Sequence, residues 1–297
     1  MTGLKLAYAG VKYVRYVILW SATIADSGSN SCNIFVINWL RKMKVNNLEH
    51  FRSVVSSGRT AYGMVITCYD PSITEIAAEC GMDFVWIDME HSPMTITDVQ
   101  SMLMAVKGTN CAPFIRVPWC VNYLLKPILD LGPAGVIIPM VNDAETMRKA
   151  VSACHYPVHG GERGFATRRQ NQFNKVSITE YVAASEHDPI VIAQIEHKDA
   201  VENIDEILEV SGIDSVCIGP YDLSASYGKA GQFDDPEIGA AVDRVIERTR
   251  SHGVMLGGFC GNAEFWKDRS LDWKALCDDA GFLAKHLRDL LDEYRSR

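Results

Sequence analysis

Close cysteine pairs and a net positive charge are both missing from this sequence of 297 residues. Its nine cysteines are scattered and none forms a Cys-x-x-Cys pair, so zinc ribbons and dithiol redox motifs are not supported. An odd number of cysteines without such a framework is typical of reduced thiols in a cytosolic protein. The formal net charge of -8 argues against a nucleic-acid partner, because such surfaces need clustered lysine and arginine. We therefore expect a cytoplasmic protein that acts on small molecules.

The first 45 residues contain almost no acidic residues, with Asp26 alone against six basic residues. An apolar run at residues 16–25 is too short to span a bilayer, which takes about 20 residues, so no membrane partner is expected. The segment also fits an organelle-targeting peptide, an upstream start-site artefact or a structural element, and the sequence leaves these alternatives open. We assign residues 1–45 as an N-terminal extension of uncertain role, expected to be dispensable for folding, and residues 46–297 as one domain.

From about Asn46 onward, short β-rich runs alternate with amphipathic segments, which is typical of a parallel sheet with helical crossovers. The predicted strands lie at residues 61–67, 84–90, 113–118, 135–141, 190–196, 215–224, 254–260 and 273–277. The clearest helical patterns lie between them at residues 95–106, 143–154, 200–210 and 236–251. Eight such units predict an α/β fold of the (β/α)8 TIM-barrel type. A doubly wound open sheet is the alternative, but no Gly-x-Gly-x-x-Gly follows the first strand.

The connection between the fourth and fifth predicted strands is unusually long. Residues 156–174 are rich in glycine, arginine and histidine and precede a helix-like stretch at residues 178–186. Long irregular loops in compact domains are usually functional or mobile. We therefore expect this loop to be a lid over the active site or a subunit contact.

Four of the predicted strands end in polar residues, and in a TIM barrel the active site lies at the carboxyl ends of the strands. The polar residues at these ends are Asp88, Glu90, His91, Arg116, Gln194, Glu196 and Asp222. Because side chains alternate along a strand, Asp88 and Glu90 share one face and the aliphatic residues share the other. Taken alone, Glu196 or Asp222 also fits a helix N-cap, and Arg116 fits an ordinary ion pair. Their convergence at one rim favours a functional site.

The chemistry of this set suits a 2-oxo acid. Two carboxylates without a histidine ligand favour a hard cation such as Mg²⁺ or Mn²⁺, which acts as a Lewis acid on a carbonyl group. A guanidinium stabilises the enolate oxygen that develops when a carbon–carbon bond breaks, and a histidine held by an aspartate serves as a general base. The backbone of Gly219, Pro220, Tyr221 and Asp222 opens a helix and offers amide donors for a substrate carboxylate.

These segments closely resemble the HpcH/HpaI aldolase family of class II pyruvate aldolases. The resemblance rests on residues 84–91, 115–118, 135–141, 161–165, 194–196 and 218–224, and in order and spacing it covers roughly residues 46–260. It implies a barrel of the phosphoenolpyruvate/pyruvate type and a divalent metal cofactor, Mg²⁺, Mn²⁺ or Co²⁺. It also implies an aldehyde-lyase that cleaves 4-hydroxy-2-oxo acids reversibly to pyruvate and an aldehyde.

The same resemblance implies roles for individual residues. Glu196 and Asp222 would bind the metal, His91 oriented by Asp88 would be the general base, and Arg116 would stabilise the enolate. Supporting roles near the metal fall to Gln194 and Glu90, and the substrate is expected to contact Gln194, Gly219, Pro220 and Tyr221. The family resemblance further implies a homohexamer, a trimer of dimers that exchange their last helix, here residues 281–297.

The sequence departs from the family pattern in residues 1–45 and in residues 261–279, where Cys277-Asp278-Asp279 replaces a segment that normally reads Gly-Ser-Asp. No predicted metal ligand or base is affected. The alternatives within enzymes are an oxaloacetate decarboxylase-like activity and a CoA-thioester lyase like the β-type citrate lyases. A Schiff-base aldolase is disfavoured, since no lysine lies in the first six predicted strands. A catalytically silent barrel that acts as a scaffold is the non-enzymatic alternative.

Overall fold

The computed structural model describes residues 45–297, so the predicted extension, apart from Val45, lies outside the described residues. Eight strands form a closed barrel in which each strand pairs in parallel with its neighbour in the chain, and the last strand closes on the first. The strands are β1 (Ala61–Ile66), β2 (Phe84–Asp88), β3 (Ala112–Arg116), β4 (Gly135–Ile138), β5 (Ile190–Ile195), β6 (Ser215–Ile218), β7 (Met255–Phe259) and β8 (Trp273–Asp278). The predicted TIM barrel is confirmed, and the open-sheet alternative is wrong because β1 and β8 are paired.

Helices connect most of the strands on the outside of the barrel. They are α1 (Leu48–Ser56), α2 (Pro71–Glu79), α3 (Ile96–Ala105), α4 (Asn122–Asp130), α5 (Ala144–Cys154), α6 (Ile178–Ala184), α7 (Lys198–Glu202), α8 (Ile204–Leu208), α9 (Pro220–Ser226), α10 (Pro236–Ser251) and α11 (Asp279–Arg295). Side-chain oxygens cap several of these helices, for example Thr95 and Asp98 in a reciprocal capping box at the start of α3. Within residues 45–297 no helix is both long and apolar enough to cross a membrane.

Side chains point alternately to the inside and the outside of the barrel along each strand, and the two sets form two hydrophobic cores. The inward set includes Phe84, Phe114 and Trp273, whose rings lie 5.2–5.9 Å apart between centroids and fill the barrel. The outward set, for example Val85 and Ile87, packs against the helices. Helix α1 covers the amino-terminal end of the barrel, where its Phe51 ring meets Phe114 at 4.9 Å. Side chains therefore fill the amino-terminal part of the barrel, and a cavity can form only at the carboxyl ends of its strands.

The largest differences from the predicted elements concern one strand and one helix. The predicted strand at residues 215–224 is too long, because β6 ends at Ile218 and Pro220 starts α9. Proline lacks an N–H group and has a fixed φ, so it suits the first turn of a helix. The predicted helix at residues 200–210 is two short helices, α7 and α8, separated at Asn203. The chain between β7 and β8 contains no α-helix. Trp266 of this segment is buried in the outer core instead, and β8 still pairs with β7 to close the barrel.

The prediction that the long connection forms a lid is wrong. This connection follows α5 and precedes β5, so it begins and ends at the amino-terminal face, opposite the mouth of the barrel. Arg169 anchors it there, with its Nη1 donating to the carbonyl of Leu131 at 2.7 Å and its Nη2 to that of Leu103 at 2.6 Å. Burial without an acidic partner lowers the pKa of Arg169 to about 10. The alternative role as a subunit contact stays a prediction.

A single methyl group added at Gly257 should destabilise the barrel. Its Cβ would lie 1.9 Å from the ring of Trp273, with which Gly257 is paired across β7 and β8. Overpacking of this kind costs about 1–3 kcal/mol or more, so Gly257→Ala should lower the free energy of unfolding measured with urea. Gly239→Ala is the control, because its Cβ meets nothing closer than 3.6 Å and alanine favours the helix α10 by about 0.5–1 kcal/mol. Equal stability of the two variants would contradict the packing described.

Candidate active site

A cavity of about 250 Å³ opens at the carboxyl ends of the strands. Its lining includes eight of the ten residues predicted for the site, together with others that were not predicted. The lining residues are Val65, Thr67, Trp86, Asp88, His91, Arg116, Gln194, Gly219, Pro220, Tyr221, Asp222, Phe259 and Asp278. The two remaining predicted residues, Glu90 and Glu196, lie next to this lining in contact with Arg116 and Gln194. The structure thus brings the predicted set together at one rim.

The centre of the site is a buried ion pair between neighbouring strands. Asp88 and Arg116 are partners in the register of β2 and β3. Arg116 donates from Nε to Asp88 Oδ1 at 2.9 Å and from Nη2 to Oδ2 at 2.6 Å, in the bidentate geometry that is strongest for this pair. The guanidinium also lies 5.1 Å from the ring centre of Trp86. Nη1 is not bound by Asp88 and lies 3.5 Å from Gln194 Oε1.

Asp88 does not orient the imidazole of His91 as expected, because both of its oxygens face Arg116. Asp88 Oδ1 instead accepts the backbone N–H groups of Glu90 and His91, at 3.0 and 3.3 Å. Among residues 45–297, the carboxylate that pairs with the His91 ring is Glu90, with 3.8 Å between Nε2 and Oε2. The His91 side chain is 58% exposed. Asp88 therefore fixes the turn that carries His91, and the ring itself stands at the edge of the cavity.

Glu196 is a buried carboxylate just beyond the end of β5. Its Oε1 accepts the backbone N–H of Met140 at 2.7 Å, and its Oε2 accepts the side-chain amide of Gln194. In the described part of the chain it has no lysine, arginine or histidine as an ion-pair partner. Burial, with a smaller contribution from the neighbouring charges of Glu90 and Asp222, raises the pKa of Glu196 to about 7, and the hydrogen bonds from Met140 and Gln194 oppose this shift. A buried carboxylate of this kind costs free energy in its ionised form unless a cation pairs with it.

Glu90 is a second acid at this rim whose pKa is raised. Burial raises its pKa to about 7, Arg116 opposes the shift, and Asp88 and Asp222 add to it. Glu90 Oε2 lies 3.2 Å from Arg116 Nε, yet it is buried without a hydrogen bond in suitable geometry. Asp222 lies in the first turn of α9 and is exposed to the cavity. Three acids therefore influence one another around one guanidinium that is already neutralised by Asp88.

The site leaves room for a cation bound mainly by oxygen atoms. Within residues 45–297 no three His, Cys, Asp or Glu side chains form a ready-made metal cage. Mg²⁺ and Mn²⁺ do not require one, since such ions are often held by one or two carboxylates and keep several water ligands. A Cβ at Gly219 would lie 3.0 Å from Glu196 Oε2, so only glycine lets the backbone approach this carboxylate so closely. The donor set around Glu196 and Asp222 thus fits a hard divalent cation.

Several residues of the site were missed by the sequence analysis. Trp86 and Phe259 were placed within strands but not assigned to the site, although alternation puts both on the inner face. Met140 presents its N–H to Glu196 from a left-handed conformation with φ 52°, which no sequence signal announces for methionine. Asp278 was noted only as a departure from the family pattern, and it lines the cavity.

Comparison with known proteins agrees with this geometry. The model of the HpcH/HpaI aldolase/citrate lyase family matches residues 61–289. The chain is 35% identical over 211 residues to the hydroxypyruvate/pyruvate aldolase of Roseobacter denitrificans, covering 71% of this chain and 82% of the relative. It is 35% identical over 243 residues to the 2-keto-3-deoxy-L-rhamnonate aldolase of Escherichia coli strain K12, covering 82% and 90%.

A solved structure leads to the same family. It is an HpcH/HpaI aldolase/citrate lyase family protein from Burkholderia cenocepacia, which superposes with a TM-score of 0.77 at 28% identity and covers 84% of this chain and 98% of that one. The predictions of this family and of an aldolase-type carbon–carbon lyase are confirmed by these matches. The chain belongs to the HpcH/HpaI aldolase/citrate lyase family.

Proposed function

We propose that this protein is a metal-dependent aldolase that cleaves 4-hydroxy-2-oxo acids reversibly to pyruvate and an aldehyde. The observation that carries the proposal is the buried Glu196 carboxylate, which has no cationic partner within residues 45–297 and lies beside Gly219 near the cavity. A bound divalent cation would complete this arrangement. The aldolase names of the relatives support the same reaction.

Glu196 and Asp222 are the residues that would hold the cation, Mg²⁺, Mn²⁺ or Co²⁺. When bound, such a cation would polarise the 2-oxo group of the substrate as a Lewis acid. The N–H groups of the first turn of α9, at Tyr221 and Asp222, have no partner within their own helix and are available to the substrate carboxylate. Gln194 holds Glu196 through its amide and so keeps the carboxylate in position.

Arg116 stabilises the negative charge that develops on the 2-oxo oxygen of the substrate. Its guanidinium is fixed by Asp88 on one edge, which leaves Nη1 to donate a hydrogen bond to the 2-oxo oxygen. Because the guanidinium is already oriented and buried, little reorganisation is needed as the charge forms. Asp88 is thus a positioning residue for Arg116 rather than for the imidazole.

His91 is the proposed general base. Its ring lines the cavity while remaining open to water, so it can accept the proton of the substrate 4-hydroxyl and later release it. Loss of that proton allows the C3–C4 bond to break, with C4 leaving in the aldehyde and the electron pair passing into the enolate of pyruvate. Protonation of that enolate at C3 then yields pyruvate.

The alternatives are less well supported by the same residues. A Schiff-base aldolase needs a lysine in the cavity, but the single lysine in the eight described strands, Lys274, donates its Nζ to the carbonyl of Arg269 and does not line the cavity. A CoA-thioester lyase needs basic groups for a nucleotide, and the described lining contains no lysine and one arginine, which is paired. A silent scaffold gives no reason for an unpaired buried Glu196.

Removal of metal tests the proposal most directly. EDTA should abolish pyruvate release from a 4-hydroxy-2-oxo acid, and Mn²⁺, Mg²⁺ or Co²⁺ should restore it. Metal should also raise the melting temperature, because a ligand that binds only the folded state stabilises it. Glu196→Gln keeps the side-chain shape without the charge and should lose both effects.

Glu145→Gln is the matched control, since Glu145 is an exposed acid on α5 that pairs with Lys149. It should keep both the metal-dependent activity and the rise in melting temperature. Full activity in EDTA, or an adduct with pyruvate trapped by borohydride, would overturn the metal assignment.

Replacement of His91 separates the base from the metal site. His91→Ala should lower the turnover number by about 10²- to 10⁴-fold, as general-base removal does, while the rise in melting temperature with Mn²⁺ stays unchanged. His252→Ala, at the exposed end of α10, should behave like the unaltered protein. Near-normal turnover of His91→Ala would show that another group takes the proton.

The last helix supports assembly of several copies. In α11 five apolar side chains on one face are each at least half exposed, namely Leu283, Leu287, Leu290, Leu291 and Tyr294, and the similarly exposed Phe282 lies to one side of them. A stripe of this size on an amphipathic helix is typical of a surface that another chain covers. We therefore retain the homohexamer with exchanged last helices as the proposed assembly.

A charge placed on this stripe should break the assembly. The double variant Leu287→Asp, Leu290→Asp should reduce the mass measured by light scattering, because two carboxylates cannot be buried against an apolar partner. Arg288→Asp, next to the stripe, is the control and should keep the original mass. A native protein that is monomeric at micromolar concentration would contradict the proposed oligomer.

A further inference from the structure

A β-bulge in the last strand turns an acidic side chain into the cavity. Gly63 of β1 pairs with Ala275 of β8, but Val65 pairs with Asp278, so β8 carries one extra residue between these two pairs. Strict alternation from the inward Ala275 would turn Cys277 inward and Asp278 outward. The extra residue gives Asp278 the same face as Val65, which belongs to the inner core, and both line the cavity. Bulges near active sites commonly redirect a side chain in this way.

Asp278 is held firmly in this position. Its Oδ1 accepts the backbone N–H of Gly281 at 2.6 Å and caps the start of α11. The next residue, Asp279, is buried and accepts N–H groups of Thr67 and Cys68, which ties the end of β8 to the end of β1. The carboxylate at this wall is therefore a fixed charge rather than a freely moving side chain.

The barrel order puts Asp278 on a different strand from the proposed metal ligands, two strands beyond β6. Glu196 follows β5 and Asp222 follows β6, whereas Asp278 ends β8, three strands beyond β5. The side of the cavity at β8 and β1 is lined by Asp278 and Thr67, and Phe259 of β7, whose ring centre lies 6.1 Å from that of Tyr221, adjoins it. If the pyruvate half of the substrate lies at Glu196, Asp222 and Arg116, the aldehyde half extends toward this wall.

The charges at this wall discriminate between aldehydes. In the part of the chain that the structure describes, Arg116 is the only lysine or arginine lining the cavity, and Asp88 neutralises it. A carboxylate on the aldehyde half would thus face Asp278 without a compensating cation. Hydroxyl groups would instead donate hydrogen bonds to Asp278, and the ring of Phe259 would cover the carbon chain.

We propose that Asp278 is a specificity-determining residue and that the aldehyde half of the substrate is neutral and hydroxylated rather than carboxylated. This inference rests on the proposed aldolase function. It adds the class of aldehyde to that function. It also assigns the selection of the aldehyde to the cavity wall that Phe259, Asp278 and Thr67 form, rather than to the long connection before β5.

A matched pair of aldehydes tests the proposal in the synthetic direction. Glyceraldehyde and tartronate semialdehyde have the same carbon chain and differ in a terminal CH₂OH or carboxylate group. With pyruvate and Mn²⁺, the unaltered enzyme should show the higher kcat/KM for glyceraldehyde. Asp278→Asn should reduce this preference about threefold to tenfold, the range expected when one like charge is removed from a partly solvated site.

Asparagine is chosen because it caps a helix as well as aspartate does, so α11 should keep its start. The preference of the unaltered enzyme should also shrink at high salt, whereas that of Asp278→Asn should not, which a merely structural role would not produce. Asp243→Asn is the control, because Asp243 is an exposed acid on α10 that pairs with Arg269 outside the cavity. This variant should show the same preference between the two aldehydes as the unaltered enzyme.

The outcomes separate two kinds of failure. A preference of the unaltered enzyme for tartronate semialdehyde, or an unchanged preference in Asp278→Asn, overturns the role of Asp278 while product formation leaves the aldolase proposal intact. Absence of product from both aldehydes, with metal present, overturns the aldolase proposal and the inference with it.

Discussion

Arg116 and Asp88 are removed from water together at the carboxyl ends of two neighbouring strands, and the arrangement of the mouth depends on this pair. Loss of one partner of such a buried pair costs about 3–5 kcal/mol, because the other charge remains buried and unpaired. The register of β2 with β3 sets the two residues side by side, and Trp86 packs against the guanidinium. Asp88 also accepts the backbone N–H of His91, so one carboxylate positions both the guanidinium of Arg116 and the turn that carries the proposed base.

Within residues 45–297 Glu196 has no such partner and Glu90 shares the guanidinium with Asp88, and this excess of buried acid explains why the site suits a cation. Burial raises the pKa values of Glu90 and Glu196 to about 7 from the usual 4.5. A raised pKa in the fold gives stability that is present below the unfolded pKa and is lost as pH rises through the folded pKa. The metal-free fold therefore becomes less stable between about pH 4.5 and pH 7 on account of these two acids. A divalent cation bound at the proposed site would reverse that effect, because it would favour the ionised carboxylates.

Residues that follow the two-residue period of a strand were predictable, and residues that break it were not. Alternation alone placed Asp88 and Glu196 on the inner face, and their convergence follows from the closure of eight parallel strands. Asp278 was missed because a bulge shifts the period by one residue, and Met140 because its left-handed backbone has no composition signal. The error about the long connection has another cause: chain order already puts any helix-to-strand connection at the amino-terminal face. The contact expected between Asp88 and His91 failed because pair geometry depends on the competing Arg116.

The wall of the cavity and the apolar face of the last helix are parts of one continuous segment. Asp278 lines the cavity and caps α11, while Asp279 binds the backbone at Thr67, so any shift of α11 is transmitted to the cavity wall within two residues. In an isolated chain the stripe that includes Leu287 and Leu290 is exposed. The first turn, where Asp279 is buried, is therefore the main point at which α11 is held. A partner that covers this stripe would also fix the position of Asp278. Assembly and the choice of aldehyde are therefore expected to be coupled through the start of one helix.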